Sequence, residues 1–278
     1  FDDEGHVLEA LARIGKGGVL KQAMRIRGNW LGSAKRELLP GSRDRRAGTG
    51  LFQMYAHGEC LDMIRARELR VGAKYDRVIT TRTDLRWLYP HPPLGAISPE
   101  YAWVPDTYQD DWGGLYDRHL VLPRGVAGAV LDGWRLLCSG QAVRIIADLA
   151  GAEAFQGNDS EGLNTETWLA LRMMAAGARV ARFPMTAYIA CDAAEWSAGG
   201  GGPNLSAGSV HGTVHGFACR RGSDFRYPRE HRAAARFAAC LSTGSGWTPS
   251  GVWSCYCREL SQAPLADDSF ALCRRGGA

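Results

Sequence analysis

The sequence predicts an α/β fold: a mixed, mainly parallel sheet flanked by helices, with a loop-rich, cysteine-bearing C-terminal extension. Three observations predict it. The segment LFQMYAHGECLDMIRARELR (residues 51–70) has the apolar spacing of a long amphipathic helix and runs into RVITT (77–81), whose Val, Ile and Thr suit a pleated, buried backbone. The step then repeats: Asn164 or Thr165 can cap a helix running to about Ala176 and stopped by Gly177, and RVARFPMTAYIA resumes as strand. Helix-to-strand steps of this kind favour an α/β sheet. Beyond Gly199, periodicity fades and cysteines accumulate.

In chain order, DDEGHVLEALARI (2–14) opens acidic and places Val7, Leu8, Leu11 and Ile14 at helical spacing. Residues 28–50, basic and glycine-rich, read as a surface loop. In the 51–70 helix, Phe52, Tyr55, Cys60, Met63 and Ile64 can share the buried side. Residues 77–81 read as a short strand in the sheet core, and the four prolines of YPHPPLGAISPE exclude regular structure after it. Tyr101–Val104 and Leu120–Leu122 are further strands, and 125–152 reads as one or two helices. In the helix after Asn164, Trp168, Leu171, Met174 and Ala175 are expected to face inward. Gly199–Gly202 with Pro203 marks a boundary, giving an α/β domain over 1–198 and an extension over 199–278, helical only at 229–241.

Composition narrows the function classes. A net charge of +4 with no aromatic-interleaved basic run argues against nucleic acid. No stretch reaches the roughly 20 apolar residues of a membrane helix. The chain begins at Phe1, which we read as a piece of something longer, so missing targeting signals carry little weight. Of the cysteines, Cys60 and Cys138 lie early, whereas Cys191, Cys219, Cys240, Cys255, Cys257 and Cys273 crowd the last third. With sequons at Asn158 and Asn204, this leans towards an oxidising, secretory setting with disulfides and glycosylation. His211 and His215 lie four apart in a glycine-rich loop rather than on a helix, and GKGG (15–18) lacks the full phosphate-loop pattern. No dinucleotide fingerprint or nucleophile elbow occurs.

The chemistry-bearing residues fall in three places. Arg82 and Asp84 follow the 77–81 strand, at the edge where open α/β sheets bind ligands. A carboxylate there can hold a divalent cation and Arg82 a phosphate, or the two can simply pin a loop as an ion pair. In DDWGGLYDRHLVLPR, Gly113 and Gly114 allow close backbone approach, Asp117 can accept a proton or bind a sugar hydroxyl, and Arg118 can serve as its counter-ion. Trp112 and Tyr116 suit a sugar ring or ordinary packing. Glu166, in the first turn of its helix, is either a general base or a capping acid.

The segments YDRVITTRTDLRWLYPHPPL, YAWVPDTYQDDWGGLYDRHLVLPR and LNTETWLALRMMAAGARVARFP together resemble a group of glycosyltransferases with a GT-A-like fold, over roughly residues 51–190. The resemblance implies transfer of a sugar, hexosyl or pentosyl, from a nucleotide-sugar donor to a hydroxyl of a glycan or glycoprotein. It casts Arg82, Asp84, Gly113 and Gly114 as donor-binding residues, Asp84 as ligand of a divalent cation (Mn2+ or Mg2+), and Glu166 and Asp117 as catalytic. Arg82 stands where many metal-dependent members have the first carboxylate of Asp-x-Asp, and the family's early nucleotide-binding strand and helix would precede Phe1. The location implied is the Golgi lumen, with any membrane anchor outside this chain. The alternative is a non-catalytic carbohydrate-binding or scaffolding domain derived from the same fold.

Overall fold

The computed structural model describes residues 50–83, 85–87, 91–107, 111–151 and 162–189, with short pieces between 22 and 31 and between 235 and 258. Asp84, the expected helix at 2–14, both sequons, the 199–203 boundary and the His211/His215 pair lie outside the described residues. The chain divides into two compact units. The first comprises residues 1–78, 111–117 and 122–179; the second comprises 79–110, 118–121 and 180–278.

The first unit is helical. Helix α1 (Gly50–Val71) ends at Gly72, whose φ of +68° terminates it at little steric cost. Where one or two helices are expected there are three: α2 (Arg124–Leu131), α3 (Gly133–Cys138) and α4 (Gln141–Ala150), followed by α5 (Thr165–Ala175). Helix α1 packs on α2 and α3, α4 on α3 and α5, and α2 on α5. Their core gathers Trp30, Leu31, Leu51, Met54, Leu137, Ile146, Trp168 and Leu171. Trp30 meets Trp168 edge-on at 5.4 Å, an arrangement that suits the ring quadrupoles.

Two inward faces differ from the sequence expectation. On α1 the buried positions are Leu51, Met54, Gly58, Leu61 and Glu68, whereas Cys60 is exposed and Met63 points largely to solvent. Gly58 is on the buried side, where a Cβ would make an ordinary 3.5 Å contact with Trp134 Cβ. Glu68 is buried because Arg124 grips it with two 2.6 Å hydrogen bonds and Tyr75 N donates a third at 3.1 Å. Those bonds hold its carboxyl down at about 2. On α5, Trp168 and Leu171 are buried as expected, but Met174 and Ala175 are exposed and Leu169, Arg172 and Met173 take their place. Arg172 is the cause: its guanidinium lies over the Trp168 ring and donates to the Val130 carbonyl, which turns that face inward.

The second unit holds most of a mixed, open four-stranded sheet, which with the helices gives an α/β fold. Strands β1 (Arg77–Thr81), β3 (Tyr101–Asp106), β4 (His119–Pro123) and β5 (Arg179–Pro184) lie in the order β1-β4-β3-β5. Central β3 and β4 are antiparallel, with Trp103 opposite Val121, and are buried along almost their whole length. Strand β1 lies at an edge, not in the sheet core: Val78 is buried but Ile79 and Thr81 are exposed. A separate ribbon pairs β2 (Leu85–Trp87) antiparallel with β6 (Ala187–Ile189). The proline-rich stretch is not wholly irregular, since Leu94–Ala96 forms a single 3-10 turn behind Pro93. Cys240 and Cys255 lie at disulfide distance, with sulfurs 2.08 Å apart.

Candidate functional site

The site begins with the cap of α5. Asn164 Oδ1 accepts from Thr167 N at 2.7 Å, and Asn164 N donates to Thr167 Oγ1 at 2.9 Å, a reciprocal box that satisfies two otherwise orphan donors. Asn164 also reaches outwards, its Nδ2 donating to the Trp112 carbonyl at 2.9 Å. Leu115 N donates to the Glu166 carbonyl at 3.1 Å. Residues 111–115 are thus fastened to the first turn of α5 at two points.

The glycine pair makes this approach possible. A Cβ on Gly114 would stand 2.2 Å from both the Glu166 carbonyl carbon and its oxygen, so only glycine fits. Gly113 takes a φ of +81° for the turn, while its own surroundings are open. Trp112 is left with φ +44°, a strained value for a residue with a side chain, and half of it is exposed. Tyr116 is buried, so of the two aromatic candidates Trp112 alone presents a surface to solvent.

The acids differ in setting. Glu166 is buried in the first turn of α5 and accepts from Thr165 Oγ1 at 2.9 Å. Asp117 is half-buried, and its carbonyl accepts from Gln53 Nε2 at 3.4 Å. Its charge acts on Arg172, a fully buried guanidinium. Burial draws Arg172 down to about 10, and Asp117 opposes that shift. His57 belongs to the same neighbourhood: burial, then the Arg172 charge, lowers it to about 4, so it is neutral at pH 7. A second positive charge beside a buried cation is disfavoured, which favours the uncharged imidazole.

Gly113, Gly114, Asp117 and Glu166 thus all belong to one unit, Gly114 lying against Glu166 and Asp117 beside Gln53 and Arg172. Arg82 lies in the other unit, half-buried, its amide donating to the Arg118 carbonyl at 3.0 Å. The cation expectation rests on Asp84, outside the described residues. Among the described residues no group of three or more His, Cys, Asp or Glu side chains could hold a metal ion. Sequence reading missed Arg172, Gln53 and His57. Arg172 had a faint signal, standing four residues after Trp168 on a helix otherwise apolar on that side. No helix among the described residues is long and apolar enough to cross a membrane.

Compared with known proteins, no family model, curated protein or solved structure matches this chain.

Proposed function

We propose that this chain is a glycosyltransferase of GT-A-like fold that moves a hexosyl or pentosyl unit from a nucleotide-sugar donor to a hydroxyl of a glycan or glycoprotein. The observation that carries the proposal is the fastening of the loop bearing exposed Trp112 onto the first turn of α5, the turn that also carries Glu166. An indole face offers a sugar ring a flat apolar surface with a polar rim. In the reaction, the acceptor hydroxyl oxygen bonds to the anomeric carbon, the bond to the diphosphate breaks, and the diphosphate leaves with the electron pair. Glu166 takes the hydroxyl proton in an inverting course. Asp117 is assigned instead to balancing the buried Arg172 charge. Arg82 and Asp84, after the edge strand β1, are assigned to the donor by the resemblance alone.

A second reading, a carbohydrate-binding domain without catalysis, is favoured by the burial of Glu166 and its engagement by Thr165. The Cys240–Cys255 pair supports the secretory, Golgi-lumenal setting proposed for either reading, because disulfides persist in oxidising compartments. The function is tested by thermal-shift titration against a panel of nucleoside diphosphates, with and without Mn2+. A ligand at a hundred times its dissociation constant adds about 2.7 kcal/mol of stability. A shift abolished by Asp84→Asn supports the transferase. A folded chain that responds to free glycans but to no nucleotide supports the binding domain.

A further inference from the structure

A second cluster of chemistry-bearing side chains lies in the other unit and plays no part in the proposed transfer. His91 and His119 sit with ring centres 5.0 Å apart, between Trp87 and Phe183. Trp87 meets His119 edge-on at 5.1 Å, and Phe183 lies 5.5 Å from His91 and 5.8 Å from His119. His119 is only 2 % exposed, yet neither of its ring nitrogens has a hydrogen-bond partner among the described residues. His91 Nδ1 lies 2.6 Å from the Pro92 carbonyl, which can only accept, so the proton is on Nδ1. Nε2 of His91 therefore carries a lone pair, and it too is buried without a partner among the described residues.

An imidazole whose one nitrogen donates to a backbone carbonyl while the other presents a bare lone pair is the usual state of a metal-ligating histidine. We propose that His91 and His119 form a two-histidine site for a borderline divalent transition ion, Zn2+ by preference. Two imidazoles sharing a tetrahedral zinc at about 2.0–2.1 Å hold their ring centres about 5 Å apart, as this pair does. Among the described residues no third His, Cys, Asp or Glu joins them. Zinc suits this set better than Mg2+ or Ca2+, which demand oxygen ligands.

The test is a zinc titration of the whole chain against a chromophoric chelator, after alkylation of exposed thiols such as Cys60. His91→Gln and His119→Gln are each expected to weaken uptake by at least about tenfold. Long-range 15N NMR of the wild type supplies a measurement independent of variants, should His119→Gln fail to fold. Zinc is expected to shift the His91 Nε2 resonance while Nδ1 keeps its proton. No uptake, uptake unchanged in His91→Gln, or zinc that leaves the His91 and His119 resonances in place would each overturn the proposal.

Discussion

Gly114→Ala attacks the joint on which the candidate site depends. The new methyl carbon would lie 2.2 Å from the Glu166 carbonyl carbon and oxygen and 2.3 Å from Thr167 N, all of them helix backbone. No side chain can swing aside, so the loop itself must lift. Forcing a methyl group into a closed contact costs about 1–3 kcal/mol. Lifting the loop also stretches the Leu115 N to Glu166 O bond, worth about 1 kcal/mol. The expected loss is about 2–4 kcal/mol, read as a lower urea midpoint at unchanged slope. Gly113→Ala is the control: its Cβ would meet only Thr167 Cγ2, at 3.9 Å. Its cost comes from the φ of +81° alone, about 1–2 kcal/mol. A Gly114→Ala chain as stable as wild type, or more stable than Gly113→Ala, would refute the close approach.

Three further outcomes are expected. Trp112→Gly relieves the strain at φ +44° and removes a half-exposed ring, so stability should stay within about 1 kcal/mol of wild type while nucleotide-sugar or glycan affinity, followed by calorimetry, falls at least tenfold. Asn164→Ala removes both the helix cap and the bond to the Trp112 carbonyl, and should cost about 2 kcal/mol in urea unfolding. His57 is depressed to about 4, so its contribution to stability is complete above pH 6.5 and is lost as pH falls through about 4. Between pH 6.5 and 4.5 that loss is about 2 kcal/mol, and His57→Gln should flatten the urea-midpoint profile over that window by this amount. Glu68, held at about 2, contributes its own acid sensitivity only below pH 4.5.

Much of the fold was legible because local signals and tertiary structure agree. The strand at 77–81 coincides with β1, the 51–70 helix gains one residue at each end, and Asn164 caps α5 as its type and position suggest. Misreadings arose where one long-range partner overrode the pattern. Glu68 and Arg172 are charged residues that a periodicity argument places outside; Arg124 and the Trp168–Val130 surroundings draw them in and rotate the buried faces of α1 and α5. That β1 is an edge strand could not be read from Val-Ile-Thr composition, since strand order depends on pairings far apart in sequence. In the site, Gly113, Gly114, Asp117 and Glu166 were all named from residue type. The approach of the glycine pair to the first turn of α5, where Glu166 stands, required the fold, as did the difference between exposed Trp112 and buried Tyr116.

Sugar transfer is tested by the release of nucleoside diphosphate from a panel of nucleotide sugars, with and without glycan acceptors and Mn2+. One donor is expected to give acceptor-dependent release, with the sugar recovered on the acceptor by mass spectrometry. Glu166→Gln should lower that rate by about 10²–10⁴-fold while donor affinity persists. A folded chain that binds glycans but releases no diphosphate from any donor would contradict the account and leave the carbohydrate-binding reading in its place.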